Sequence, residues 1–294
     1  MSSVKKINFS VSNLYVIMGM NYFKNFDKVL FHTWKAYNKE DYDKCSKLLD
    51  ELNKSSSKKE KIVRTNKSNF QQIQDFQEKY NFKIQDKVKE SQKSNSNTKI
   101  NTINKDMIDN LPKTIPKEEL AQIKKLVNNS TNTVFGCRNE STALEEFKKI
   151  KNCKTNDKQK KFEYKILEDK GISFNLIGKV DAITDKNEVV EIKNRMKCLF
   201  KELRGYEKPQ IMTYMYMNNS TNGYLVENYK QKEGNNIYII DICYEDNYFE
   251  ENIHTALVKY YSFFKIFISN EEWKLDLLKG EESKLYKEFI SFSN

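Results

Sequence analysis

The chain has 294 residues, with 51 Lys plus Arg against 41 Asp plus Glu, a formal net charge of +10 and 38% hydrophobic residues. That length suits one large domain, or one domain with a substantial extension, and no stretch reaches the roughly 18 consecutive apolar residues of a membrane helix. The start, Met1-Ser2-Ser3-Val4-Lys5-Lys6, lacks the apolar run and small-residue cleavage site of a secretory leader. The expectation is a soluble, unsecreted protein with no membrane partner, resident inside the cell, in cytoplasm or nucleus.

The five cysteines (Cys45, Cys137, Cys153, Cys198, Cys243) fall into no C-x-x-C or Cys/His cluster. Neither a disulfide framework nor a structural zinc site is supported, and the thiols read as reduced and intracellular. The positive balance favours a polyanionic partner, because Lys and Arg at phosphates release condensed counterions. The abundance of Lys, Asn, Ile, Tyr and Phe, with 8 Gly and 3 Pro, is also what an AT-rich genome imposes.

In chain order, Phe23, Phe26, Leu30, Trp34, Tyr37, Leu48 and Leu49 recur at mostly helical spacing, predicting one or two helices over 22–52 before the polar loop Asn53 to Lys59. From Glu51 to Lys105 there are 13 basic and 6 acidic residues, a local net of +7. This segment reads as a solvated arm, helical or partly disordered, either a charged surface or a face toward nucleic acid. After Pro116, Lys117 to Asn128 reads as one helix and Arg138 to Lys151 as a second. Phe162 to Leu167, Ile172 to Thr184 and Glu188 to Ile192 alternate like strands, the last two joined by the turn Asp185-Lys186-Asn187. Tyr206 to Asn218 returns to helix, Gly223 to Glu227 and Ile237 to Cys243 are two more strands, and Asn252 to Ile268 is an amphipathic helix. The order describes an α/β (α+β) domain, a mixed sheet flanked by helices, without internal repeats.

One stretch carries chemistry. Alternation along a strand puts Glu191 and Lys193 on one face and turns Val190 and Ile192 to the core. Asp181, near the end of the preceding strand, comes beside Glu191 across the hairpin. Mg²⁺ takes few protein carboxylates and keeps waters and phosphate oxygens as its other ligands. Asp181 and Glu191 are the candidate carboxylate ligands, and the backbone carbonyl of Ile192 is a third donor. Lys193 would orient the attacking water or help deprotonate it and offset developing charge, so the chemistry predicted is metal-assisted phosphodiester hydrolysis. E-x-K alone has no weight, since it recurs at Glu146, Glu163, Glu168, Glu272 and Glu282; only the Glu191 copy follows a β-branched run and an Asp on a linked strand. A solvated hairpin edge with a cross-strand ion pair is the other reading these residues leave. Arg195 and Lys197 extend the basic strand end, as phosphate contacts or a plain solvated terminus. His32 and His254 lie far from this stretch, which disfavours a histidine acid–base mechanism.

Three further parts complete a pattern: Phe135-Gly136-Cys137-Arg138-Asn139-Glu140, then Lys208-Pro209-Gln210-Ile211-Met212-Thr213-Tyr214, then Gly223-Tyr224-Leu225-Val226-Glu227. In order and spacing the whole resembles the PD-(D/E)XK nucleases, within them the phage lambda exonuclease and YqaJ-like viral recombinase group, over roughly residues 134 to 230. Val180 stands where the family name has Pro, a position that varies among such enzymes. The resemblance implies a restriction-endonuclease-like core over 106–294, with 1–105 as a basic N-terminal extension. It implies that Glu140, in the family's G-x-x-x-E at a helix start, assists the metal, with Glu145 and Glu146 as rivals for that place. It places Gln210 and Tyr214, from the Q-x-x-x-Y helix, in support of the metal site or DNA, with a core role open for Tyr214. Arg138 joins Arg195, Lys197 and Tyr214 as expected DNA contacts.

The implied activity is a Mg²⁺-dependent (or Mn²⁺-dependent) exonuclease on linear duplex DNA in viral or mobile-element recombination, replication or repair. An endonuclease of restriction or junction-resolving kind and a non-catalytic DNA-binding module are the alternatives. The implied partners are DNA, a single-strand annealing or replication protein, and further copies of the chain, since ring-shaped trimers occur in the group. RecB-like relatives hold an iron–sulfur cluster through three Cys after the Q-x-x-x-Y helix; here Cys243 alone follows it, so no cluster is expected.

Overall fold

The computed structural model describes residues 4–20, 26–55, 68–94, 96–231, 234–280 and 284–292. Its elements in order are β1 (Lys5–Ser10), α1 (Leu14–Ile17), α2 (Phe26–Tyr37), α3 (Lys39–Ser55), α4 (Asn69–Tyr80), α5 (Gln85–Lys93), α6 (Asn97–Asp109) and α7 (Lys117–Lys151). There follow β2 (Thr155–Lys158), β3 (Lys161–Asp169), β4 (Ile172–Lys179), β5 (Ala182–Thr184), β6 (Val189–Arg195), α8 (Lys208–Asn218), β7 (Asn222–Gln231), β8 (Gly234–Cys243), α9 (Thr255–Ser269), α10 (Glu271–Lys279) and α11 (Lys284–Ser291). Among the described residues no helix is long and apolar enough to cross a membrane.

The strands form two mixed sheets flanked by helices, one in the order β1-β4-β3 and one in the order β2-β5-β6-β7-β8. The stretch expected as one strand over 172–184 changes sheet at Val180-Asp181. Val180 N to Lys160 O and Gln159 N to Asp181 O, each 3.1 Å, carry the hairpin ladder across the break. Gln159 takes φ 59°, an uncommon conformation for a residue with a side chain, and there the facing strand turns. β6 and β7 run parallel, joined through α8, with Glu191 opposite Leu225 and Lys193 opposite Glu227.

β6 is covered on both sides, and its alternation decides what faces where. Val190 and Ile192 pack with Ala143, Leu144 and Phe147 of α7. Val189 packs with Ile211, Met212 and Met215 of α8 in the main core. Glu191, Lys193 and Arg195 share the phase of Val189 and face α8.

Two expectations about organisation change. β1 lies parallel to β4, with Phe9 opposite Leu176, and Ile7, Phe9, Phe26, Leu30 and Trp34 are buried in the main core with the aromatic face of α9. β1, α1 and α2 thus pack with the sheets, across the division expected at 105. α4, α5, α6 and the first half of α7 close a second core around Ile73, Val88, Met107, Ile123 and Val127. The basic arm is therefore folded over 68–94 and 96–105 and begins with a capping box between Ser68 and Gln71; its residues 56–67, with the end of the predicted loop, lie outside the described residues.

The second change is α7. The helices expected at 117–128 and 138–151 are one helix of 35 residues. The polar run between them resembles a loop, but Thr131 Oγ1, Thr133 Oγ1 and Asn139 Nδ2 bond back to the carbonyls of Val127, Asn129 and Phe135, four residues earlier.

Candidate active site

Asp181 sits where the chain leaves β4 for β5, and its Oδ2 accepts the backbone N–H of Ile192 at 2.7 Å. That bond ties the carboxylate to the strand carrying Glu191 and Lys193. Glu191 is 4% exposed. Its Oε1 accepts from Lys193 Nζ at 2.7 Å and from Gln210 Nε2 at 2.7 Å, while Gln210 Oε1 accepts from the same Nζ at 2.9 Å. Glu191 Oε2 is buried and has no hydrogen-bond partner among the described residues. Gln210 lies in the first turn of α8, whose N-terminus points at this group.

Burial dominates the electrostatics. It pushes Asp181 up to about 6, with the Ile192 N–H pulling back and Glu140 adding to the rise. It pushes Glu191 to about 7, opposed by Lys193 and reinforced by Asp181. Burial pulls the Lys193 ammonium down, but Glu191, Glu207 and Asp181 outweigh it and the net direction is up. The cluster is a pair of acids raised by burial beside a lysine whose charge opposes that rise.

Tyr214, one helical turn after Gln210, is 3% exposed. Its hydroxyl accepts from the backbone N–H of Lys179 at 3.2 Å, and a Cβ built on Gly178 would meet its Cε1 at 2.6 Å. The glycine lets the ring lie against β4. Tyr214 is thus a strut between α8 and β4, and a DNA contact by this side chain is excluded by burial.

Glu140 is brought near but not into the group. It lies inside α7, not at a helix start as expected. Its Oε2 accepts from Gln159 Nε2 at 3.3 Å, and burial, then Glu191, raises its pKa. Among the described residues no three His, Cys, Asp or Glu side chains gather closely enough to hold a metal ion, so the expected three-acid cluster with Asp181 and Glu191 is not formed. Of its rivals, Glu145 pairs with Lys148 and Lys158, and Glu146 with Lys149, at the surface. Gly136 contributes its carbonyl, which accepts from Asn194 Nδ2 at 2.8 Å and fastens α7 to β6.

The expected DNA contacts divide. Arg138 and Lys197 are exposed. Arg195, 10% exposed, is not free for phosphate: Nη1 and Nη2 hold both oxygens of Glu207 at 2.7 and 3.0 Å, and Nε holds Glu227 Oε1 at 2.7 Å. Glu227 Oε2 accepts from the N–H groups of Phe200 and Lys201, so this ion cluster fastens the loop between β6 and α8. Glu207, Glu227 and Gln159 were not singled out in the sequence, and no local signal marks them; each acts through a partner at least 12 residues away.

No family model matches the chain, and no curated protein matches it. Distant solved structures do. A crystal structure of SSO0001 aligns at TM-score 0.33 and 18% identity, over 51% of this chain and 65% of that one, just under two thirds of its length. An alkaline exonuclease, LHK-Exo, from Laribacter hongkongensis aligns at 0.36 and 12%, over 46% and 69%, and its complex with dAMP at 0.35 and 10%, over 62% and 87%. Likeness this distant defines no activity. What the chain's own residues define is a mixed α/β domain with a buried acid–lysine–glutamine cluster at the meeting of its two sheets.

Proposed function

We propose that the chain is a Mg²⁺-dependent DNA nuclease, with Mn²⁺ able to substitute, that hydrolyses linear duplex DNA from its ends in viral or mobile-element recombination, replication or repair. One observation carries the reading: in the Glu191 carboxylate, Oε1 is saturated by Lys193 and Gln210 while Oε2 is buried with no hydrogen-bond partner among the described residues. An unsatisfied buried acceptor is unfavourable, and a carboxylate oxygen beside a second raised carboxylate fits a hard divalent cation, which needs only one or two protein carboxylates. Asp181 and Glu191 would hold the ion, with the Ile192 carbonyl as backbone donor, and the bound cation supplies Lewis-acid charge at the scissile phosphate.

The remaining roles belong to the chain. Lys193, held by Glu191 and Gln210, orients the attacking water or helps to deprotonate it and offsets charge developing on the phosphate. Gln210 fixes Glu191 and Lys193 relative to each other. Tyr214 and Gly178 set the spacing of α8 from β4.

Purified protein with linear, nicked and covalently closed duplex plus Mg²⁺ tests this. The expected result is degradation of linear DNA, sparing of the closed circle, and loss of activity in Asp181→Asn and Lys193→Ala. Cutting of the closed circle would move the reading to an endonuclease. No cutting by wild type, or equal cutting by the variants, would end it.

A further inference from the structure

A cleft of about 680 Å³ opens over the outer face of the β1-β4-β3 sheet, lined among others by Asn8, Ser10, Lys161, Glu163, Gly178 and Lys179. Alternation explains its character. Ile7 and Phe9 of β1, and Phe174 and Leu176 of β4, turn into the core, so Asn8, Ser10, Ile177 and Lys179 point the other way. Lys179 ends β4 two residues before Asp181, where the chain changes sheet, and its charge bears on the Asp181 carboxylate. Tyr214 locks this end of the cleft to the candidate site, because it holds the Lys179 N–H and sits one turn from Gln210.

The charges in the cleft are not balanced. Glu163 is the only carboxylate among its lining residues, and Lys6 reaches across the central strand to pair with it at 2.8 Å. Lys161 and Lys179 line the same cleft and are held in no ion pair among the described residues. Lys179 also bears on the field of the site, lowering the pKa values of both Glu140 and Asp181 against the burial that raises them. Of the cations expected to meet phosphate, Arg195 is consumed by its glutamates; these two lysines stand open on the approach to Asp181.

We propose that this cleft is a phosphate-binding subsite for the stretch of polynucleotide flanking the scissile linkage, with Lys161 and Lys179 as cationic contacts and Asn8 and Ser10 as neutral hydrogen-bonding groups. It reads backbone rather than base, since the named groups recognise phosphate and sugar. The inference rests on the nuclease reading and extends it to how the substrate lies.

The test separates the two. Binding of a fluorescein-labelled duplex with short single-stranded ends is followed by anisotropy across a KCl titration, in EDTA, on full-length Asp181→Asn protein, so that it does not depend on hydrolysis. Lys161→Ala and Lys179→Ala should each weaken binding regardless of sequence and make the log–log salt slope shallower by about 0.7–0.9. Glu163→Gln should tighten binding, an outcome that a merely structural role for these exposed side chains does not produce. Unchanged slopes in both lysine variants overturn the subsite, even where wild type degrades DNA. Shallower slopes beside a wild type that cuts nothing keep the subsite and discard the nuclease.

Discussion

Two charge clusters lie two residues apart on the same face of β6, and they are built to opposite ends. At Arg195 every charged group described is partnered: the guanidinium spans Glu207 and Glu227, and the far oxygen of Glu227 takes two backbone N–H groups. At Glu191 the accounting is left open, with one carboxylate oxygen unpartnered and two acids raised to about 6 and about 7. A closed cluster holds backbone in place. An open one leaves a buried acceptor that a cation would satisfy, and that is why we propose the function at Glu191 and not at its better-bonded neighbour.

The comparison breaks first at Arg195. Arg195→Ala leaves Glu207 and Glu227 buried without a cation and should cost about 3–5 kcal/mol in urea unfolding; a loss near zero would mean the cluster is not closed. Next comes Lys193→Ala, expected to lower cleavage of linear DNA on the order of 10²–10³-fold while changing the unfolding midpoint much less than Arg195→Ala does. Equal stability losses in the two variants would erase the distinction.

The third test uses pH. The folded-state pKa of Glu191 is raised, so the folded chain binds its proton more tightly than the unfolded one does. The resulting stability is fully present below the unfolded value near 4.5 and is lost as pH rises through about 7. The loss is on the order of 3 kcal/mol, and urea midpoints for wild type should fall between pH 5 and pH 8 while those of Glu191→Gln stay flatter. At pH 8, Mg²⁺ should restore part of it, by roughly 2.7 kcal/mol at a hundredfold excess over its Kd. A metal shift of the same size in Glu191→Gln would remove that residue from the proposed ligands. Smallest is Gln210→Ala, which loses an orienting contact and should lower activity about 10–100-fold, with Gln210→Glu no substitute because it adds a third acid to the pocket.

Asp181, Glu191 and Lys193 were readable together because alternation over 189–195 and a short turn at 185–187 are properties of neighbouring residues. Gln210 and Tyr214 entered through the resemblance of their helix to the Q-x-x-x-Y motif, not through geometry. What alternation could not supply was the identity of partners across the fold. Arg195 has the same phase as Lys193 and the same apparent freedom; only Glu227, which reaches it from a parallel strand, and Glu207 distinguish a clamp from a DNA contact. β1 was missed for the same reason, as its six residues acquire meaning from a parallel partner 167 positions later. Glu140 is a different case, near both acids but outside their cluster. Its motif is a spacing of glycine and glutamate, and spacing along a helix fixes a face but not a distance across to another element.

The long helix α7 has a mechanical meaning. At about 1.5 Å per residue it is a rod roughly 50 Å long, rooted at one end in the small helical core and at the other on the sheet. Glu140 lies between those two anchorages. The place of Glu140 against Gln159 is therefore set by packing at both ends of one continuous helix rather than by a loop.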